Sequence, residues 1–101
     1  MMFQVVIEEE AEREFAEAVD YYDEREPGLG QQFARDVRAV FKTVCKTPER
    51  FRLHSRLTRK AAILDWPYAI YFAIKPETRE VVIITVWHGA RSPTELQRRL
   101  K

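Results

Sequence analysis

His88 and Arg91 leave the apolar run Val81–Trp87 together, a titratable ring beside a fixed cation, and Pro93 stops the strand behind them. An imidazole can exchange a proton near neutral pH, and a guanidinium can grip an anion through paired N–H donors. The segment His88-Gly89-Ala90-Arg91-Ser92-Pro93 is therefore a compact polar group on an apolar scaffold. Further cations stand in the basic stretch Arg50, Arg52, His54, Arg56 and in Arg59 and Lys60, and a phenol, Tyr71, lies inside a second apolar run. Cys45 is the single cysteine, so no intrachain disulfide can form; with only His54 and His88 beside it, no metal site is expected. Cys45 itself reads as a packed, inert thiol, since no base is close in sequence. No cofactor is expected.

Three strand signals must position these groups: Arg59–Leu64, Tyr68–Ile74 and Val81–Trp87. The last two are joined by Lys75-Pro76-Glu77-Thr78-Arg79-Glu80, too short for a parallel crossover, so they form an antiparallel hairpin. Pairing Ile74 with Val81 sets Phe72 against Ile83, Ile70 against Thr85 and Tyr68 against Trp87 on one face. The other face then carries Ala69, Tyr71 and Ala73 with Val82, Ile84, Val86 and His88. A slip of one residue would exchange the two faces. A turn at Asp65-Trp66 brings Lys60, or with a longer turn Arg59, beside Tyr71. The expectation is a docking trough edged by His88, Arg91 and one of these two cations, covered in part by a short C-terminal helix.

Upstream, Phe3, Val5 and Ile7 alternate as a short strand. From Glu9 to Arg25 the apolar positions Ala11, Phe15, Ala18 and Tyr22 are spaced 4, 3, 4, which is one face of a helix. Glu26-Pro27-Gly28-Leu29-Gly30 breaks it, and a second helix over 31–46 repeats the spacing in Phe33, Val37, Val40 and Val44. A five-residue connector folds the two back as an antiparallel hairpin, and Pro48 ends the second. After the strands, Ser92, Pro93 and Glu95 suit the cap and first turn of a last helix. The order is β-α-α-β-β-β-α, an α+β fold with a mainly antiparallel sheet and a helical hairpin on one face.

A chain of 101 residues with 46% hydrophobic and 12% aromatic content is one globular domain. Its net charge of +1 hides an asymmetry: residues 1–50 carry 7 Lys/Arg against 12 Asp/Glu, residues 51–101 carry 10 against 4. A basic face from the C-terminal half opposite an acidic helical face is one reading, a solvated surface the other. The small total argues against a dedicated nucleic-acid binder. The apolar runs fall short of a membrane helix and the N-terminus does not resemble a secretory signal, so a soluble cytoplasmic setting is expected.

With these elements in order, the chain resembles the ParE/RelE superfamily of bacterial toxins, and most of all its ParE-like, plasmid-stabilisation branch. The resemblance rests on Ala18 with Tyr21-Tyr22, Pro27-Gly28-Leu29-Gly30 with Phe33, Pro48, Arg59, Trp66-Pro67-Tyr68 with Ile70 and Tyr71, and His88-Gly89-Ala90-Arg91-Ser92-Pro93. It spans nearly the whole chain. Trp66 stands where the family usually has Phe, and Leu96 where many members have Trp.

The resemblance implies the toxin of a type II toxin–antitoxin module, neutralised by an antitoxin that lays a helix and an extended segment over its grooves. The ParE branch implies poisoning of DNA gyrase by protein contact, with no chemistry. The RelE branch implies metal-free cleavage of mRNA on the ribosome, with His88 as acid or base, Arg91, Arg59 and Lys60 on the phosphate and Tyr71 positioning it. A degenerate member that binds its antitoxin and poisons nothing is a third reading. A simpler account competes with catalysis: His88 ends a strand and bonds nearby backbone, while Arg91 pairs with Glu95 or the acidic helix. That account is preferred here. Arg56, Arg59, Lys60, Tyr71, His88 and Arg91 are then candidate contacts for target or antitoxin, although Arg56, like Arg52, Arg98 and Arg99, reads most simply as a surface charge.

Overall fold

Apolar side chains at helical spacing form two helices behind a short first strand, and Pro27 and Gly28 separate them. The computed structural model describes residues 2–100. Its elements are β1 (Gln4–Ile7), α1 (Glu9–Arg25), α2 (Leu29–Lys46), a single 3-10 turn (Pro48–Arg50), β2 (Arg59–Ala62), β3 (Tyr68–Lys75), β4 (Glu80–His88) and α3 (Pro93–Leu100). The predicted order is the observed one.

The helical connection is shorter than the expected five residues. Gly28 adopts φ 89°, a left-handed turn, so α2 begins at Leu29 and takes Gly30 into its first turn. Gly30 is where the two helices touch: its N–H donates to Asp23 Oδ1 at 2.7 Å. A Cβ there would collide with the Val19 carbonyl oxygen and lie 2.6 Å from Asp23 Cγ. Phe33, Val37, Phe41 and Val44 of α2 pack with Ala11 and Ala18 of α1 onto Ile70, Phe72, Val81 and Ile83 of the sheet, and these form the main core. Cys45 is buried among them, and burial pushes its thiol pKa up.

The sheet order is β1-β4-β3-β2. β1 runs parallel to β4, and the other two pairs are antiparallel. β2 stops at Ala62, two residues before the expected end, because Trp66 N–H closes a turn onto the Ile63 carbonyl at 3.1 Å.

The hairpin register corrects the face assignment. Ile74 opposes Val81 and Phe72 opposes Ile83, as expected, but the register then shifts between Tyr71 and Phe72. Beyond it Tyr71 opposes Thr85, Ile70 opposes Val86, Ala69 opposes Trp87 and Tyr68 opposes His88. An extra residue on one strand reverses every side chain after it. Val86 therefore joins the main core, and Trp87 turns to the other side. The expected trough is also occupied: Leu96 of α3 packs on Ala69, Tyr71 and Trp87 as a second, smaller core. Leu96 does the anchoring, so α3 docks without a Trp at that position.

Candidate functional site

His88 lies at the end of β4 on the side of the helical hairpin, opposite Tyr68 and 5.0 Å from its ring in an edge-on contact. Its Nδ1 accepts the Ala90 N–H at 2.9 Å, which leaves Nε2 as the protonated nitrogen of the neutral ring. It borders a cleft of about 200 Å³ between α1 and β4, shared with Glu14, Glu17, Tyr21, Tyr68 and Arg91. Burial is the main cause of a raised Tyr68 pKa; the neighbouring Tyr22 and Tyr21 add to it and Arg91 opposes it.

Arg91 is held on three sides. Its guanidinium lies 3.7 Å from the centre of the Trp87 ring, Nη1 donates to Glu14 Oε2 at 3.3 Å, and Nη2 lies 3.8 Å from Glu95 Oε2. Just past it, the Ser92 hydroxyl accepts the Glu95 N–H at 3.4 Å and starts α3.

Glu14 is the residue sequence reasoning missed. α1 crosses the end of β4 beyond the reach of β1, so the Glu14 side chain, 9% exposed, meets both β4 and α3. Its Oε1 accepts from Thr85 Oγ1 at 2.7 Å and from Arg99 Nη2 at 3.0 Å. Arg99 Nη2 also donates to the Ile84 carbonyl at 2.9 Å, and Arg99 Nε lies 3.2 Å from Glu10 Oε2. Arg99, read as a surface charge, is thus a structural clamp. The available signal was Glu14's position between Ala11 and Ala18, on the buried face of an otherwise acidic helix.

The remaining candidates lie elsewhere. Lys60 opposes Tyr71 across β2 and β3, as the tight-turn alternative predicts, with Nζ 6.0 Å from the ring centre. Tyr71 is buried, and the His54 ring packs edge-on against it at 4.8 Å. These three face the α3 side of the sheet, away from His88. Arg59 turns to the other side and donates Nη1 to the Phe51 carbonyl at 2.7 Å and the Glu49 carbonyl at 3.2 Å. Arg56 is exposed in the loop before β2. The six candidates therefore fall into two groups, His88 with Arg91 and Lys60 with Tyr71, with Arg59 and Arg56 apart from both. Among the described residues no helix is long and apolar enough to cross a membrane.

A four-stranded sheet with one parallel edge and a helical hairpin on one side is also the architecture of known toxins. Over 86% of this chain and 96% of the other, it matches a chain of the chromosomal ParDE toxin–antitoxin system from P. aeruginosa, with a TM-score of 0.75 and 15% identity. The RelBE2 toxin–antitoxin complex from Mycobacterium tuberculosis matches at a TM-score of 0.61 and 22% identity, covering 87% of this chain and 99% of that one. A mutant of the E. coli toxin RelE in the free state matches at 0.57 and 14%, covering 99% and 96%. No curated protein matches the chain. The family model described as the ParE toxin of the type II toxin–antitoxin system parDE matches residues 5–93. With nearly all of its elements inside that match, the chain belongs to the ParE toxin family of type II toxin–antitoxin systems.

Proposed function

We propose that this toxin acts by protein contact on DNA gyrase and that a cognate antitoxin neutralises it by covering the contact surface. The family assignment supports the antitoxin partner, since the similar structures are named as toxin–antitoxin systems, while gyrase is the target that the ParE resemblance implies. The observation that carries binding over catalysis is the dispersal of the polar groups. Metal-free RNA cleavage needs a base, an acid and cations converging within hydrogen-bond reach of one phosphate. Here His88 is on one side of the sheet and Lys60 and Tyr71 are on the other. Arg91 is committed to Glu14, Glu95 and Trp87, and Arg59 to two backbone carbonyls.

The test is a gyrase supercoiling assay with purified protein. Inhibition, or accumulation of cleaved DNA, is expected. Unchanged supercoiling at saturating toxin overturns the gyrase reading, and ribosome-dependent cuts in a translated mRNA, seen by primer extension, would replace it with nuclease activity.

A further inference from the structure

The two edges of the sheet are unlike. β2, at one edge, carries Arg59 and Lys60, and the Arg52–Leu53 stretch lies against its first half, with Lys60 N–H donating to the Arg52 carbonyl at 3.0 Å. β1, at the other edge, has none of the devices that keep strand edges apart. From Met2 to Ile7 it has no charge and no proline, and its pairing with β4 has no bulge. Met2 is 49% exposed, Val5 41% and Val6 39%. Gln4 N–H and Glu8 N–H donate inward, to the Arg79 and Ile83 carbonyls at 2.9 and 3.0 Å. By the alternation of the ladder, the N–H and C=O of Val5 and Ile7 point outward. On the helical side an apolar cleft of about 330 Å³ runs beside Val5, lined by Met2, Phe3, Phe41, Lys42 and Cys45.

The two ends of this strand edge carry opposite charge. Phe3 N–H donates to the Cys45 carbonyl at 2.9 Å, so the last turns of α2, with Lys42 and Lys46, stand at the start of β1. Arg79 stacks on Phe3 at the same end, 4.6 Å from the ring centre, and Glu80, which opposes Gln4, accepts from the Thr78 hydroxyl. At the far end Glu8, Glu9 and Glu12 lead into α1. Lys42, Lys46, Glu8, Glu9 and Glu12 are exposed, and among the described residues none of them makes an ion pair. An edge that is basic at one end and acidic at the other complements a copy of itself turned end for end. A uniformly acidic or uniformly basic strand would meet like charge at one of the two ends.

We infer that β1 pairs with β1 of a second copy of this chain, antiparallel about a two-fold axis, and joins the two sheets into one. Val6 faces Val6 at the axis. Val5 and Ile7 of each copy exchange their outward N–H and C=O bonds with Ile7 and Val5 of the other. The axis runs perpendicular to the sheet, so the two helical hairpins lie side by side on one face. Ile7 of the second copy then reaches the apolar cleft beside Val5, and its Glu8 and Glu9 approach Lys42 and Lys46. A self-complementary contact of this kind is closed, so association stops at the dimer. Both β2 edges remain at the outer margins of the joined sheet.

Sedimentation velocity of the full chain over a concentration series tests the pairing. The mass is expected to rise from 12.0 kDa toward twice that value, and the Val5 and Ile7 amides to exchange more slowly as it does. Val5→Pro removes only an outward N–H, and Val6→Lys sets two like charges together at the axis. Both variants are expected to stay at 12.0 kDa with the parent's circular dichroism. Lys42→Glu should weaken the dimer about tenfold, and Glu9→Lys added to it should recover most of the loss. A parent that remains at 12.0 kDa up to about 1 mM overturns the inference. So does a dimer that survives Val5→Pro and Val6→Lys, or one indifferent to Lys42→Glu. Protection of Val5 and Ile7 that follows co-purified antitoxin rather than concentration gives the edge to that partner and equally overturns it. Gyrase plays no part in these measurements, so their failure and a failure of the gyrase reading are told apart.

Discussion

Glu14 on the first helix accepts a hydrogen bond from Arg99 on the last at 3.0 Å, reaching past β4 to do so. The same carboxylate serves Thr85, which is fully buried, and Arg91. One side chain therefore ties α1, β4 and α3 together, and α3 is otherwise a helix of eight residues seated mainly through Leu96.

Replacing Glu14 by alanine leaves the Thr85 hydroxyl buried without its acceptor and Arg99 without its main counter-charge. Since Arg99 keeps some exposure, the expected loss is about 2–3 kcal/mol, measured by urea denaturation. Amide exchange across α3 should rise in the same variant. Glu14→Gln, which keeps an acceptor for Thr85, should lose less. An unchanged urea midpoint for the alanine variant would show that the clamp contributes nothing.

Gly30→Ala should destabilise the chain by about 1–3 kcal/mol, because the added methyl meets a backbone carbonyl that cannot turn away. A lowered Tm with an unchanged far-ultraviolet spectrum is the expected signature. Gly89→Ala is the control, since its Cβ would meet only the Pro67 carbonyl oxygen at an ordinary 3.6 Å.

His88→Ala separates the two toxin mechanisms. Under the gyrase reading the purified variant should inhibit supercoiling to within about twofold of the parent, because His88 bonds only local backbone and packs on Tyr68. Ribosome-dependent mRNA cuts made by the parent and lost in the variant would return His88 to a chemical role.

Alkaline pH should weaken the fold through Tyr22 and Tyr68. Both phenols have pKa values raised above their ordinary 10.0, mainly by burial. A raised folded pKa means that the folded state holds the proton more tightly than the unfolded state does. The stability this contributes is therefore fully present below pH 10.0 and is lost as pH rises through the raised values. Chemical denaturation from neutral pH upward should show a falling midpoint only above that point, and Tyr68→Phe should flatten the fall.

The helices were legible because Ala11, Phe15, Ala18 and Tyr22, and then Phe33, Val37, Val40 and Val44, repeat a period that packing against one sheet enforces. The β3–β4 hairpin was legible from its connection, and the cation beside Tyr71 was narrowed to Lys60 or Arg59, between which only the turn before β3 decides, for Lys60. The fate of His88 was not. A strict alternation along Val81–His88 puts Val86 and His88 opposite to where they lie, and nothing in a run of apolar residues marks where the ladder gains its extra residue. Glu14 and Arg99 escaped for another reason. Each looks like one more charge on a charged helix, and the bond between them depends on which strand edge α1 happens to cross.

Among the described residues β1 pairs with β4 alone, and a long stretch of chain separates the two. A ribosome delivers the first of these strands well before the second. The edge of the sheet consequently cannot close during most of translation, and non-local pairing of this kind slows folding further. A premature stop anywhere before β4 leaves β1 without its partner strand and the helical hairpin without Val81, Ile83 and Val86 to pack on, so a shortened chain cannot complete this fold.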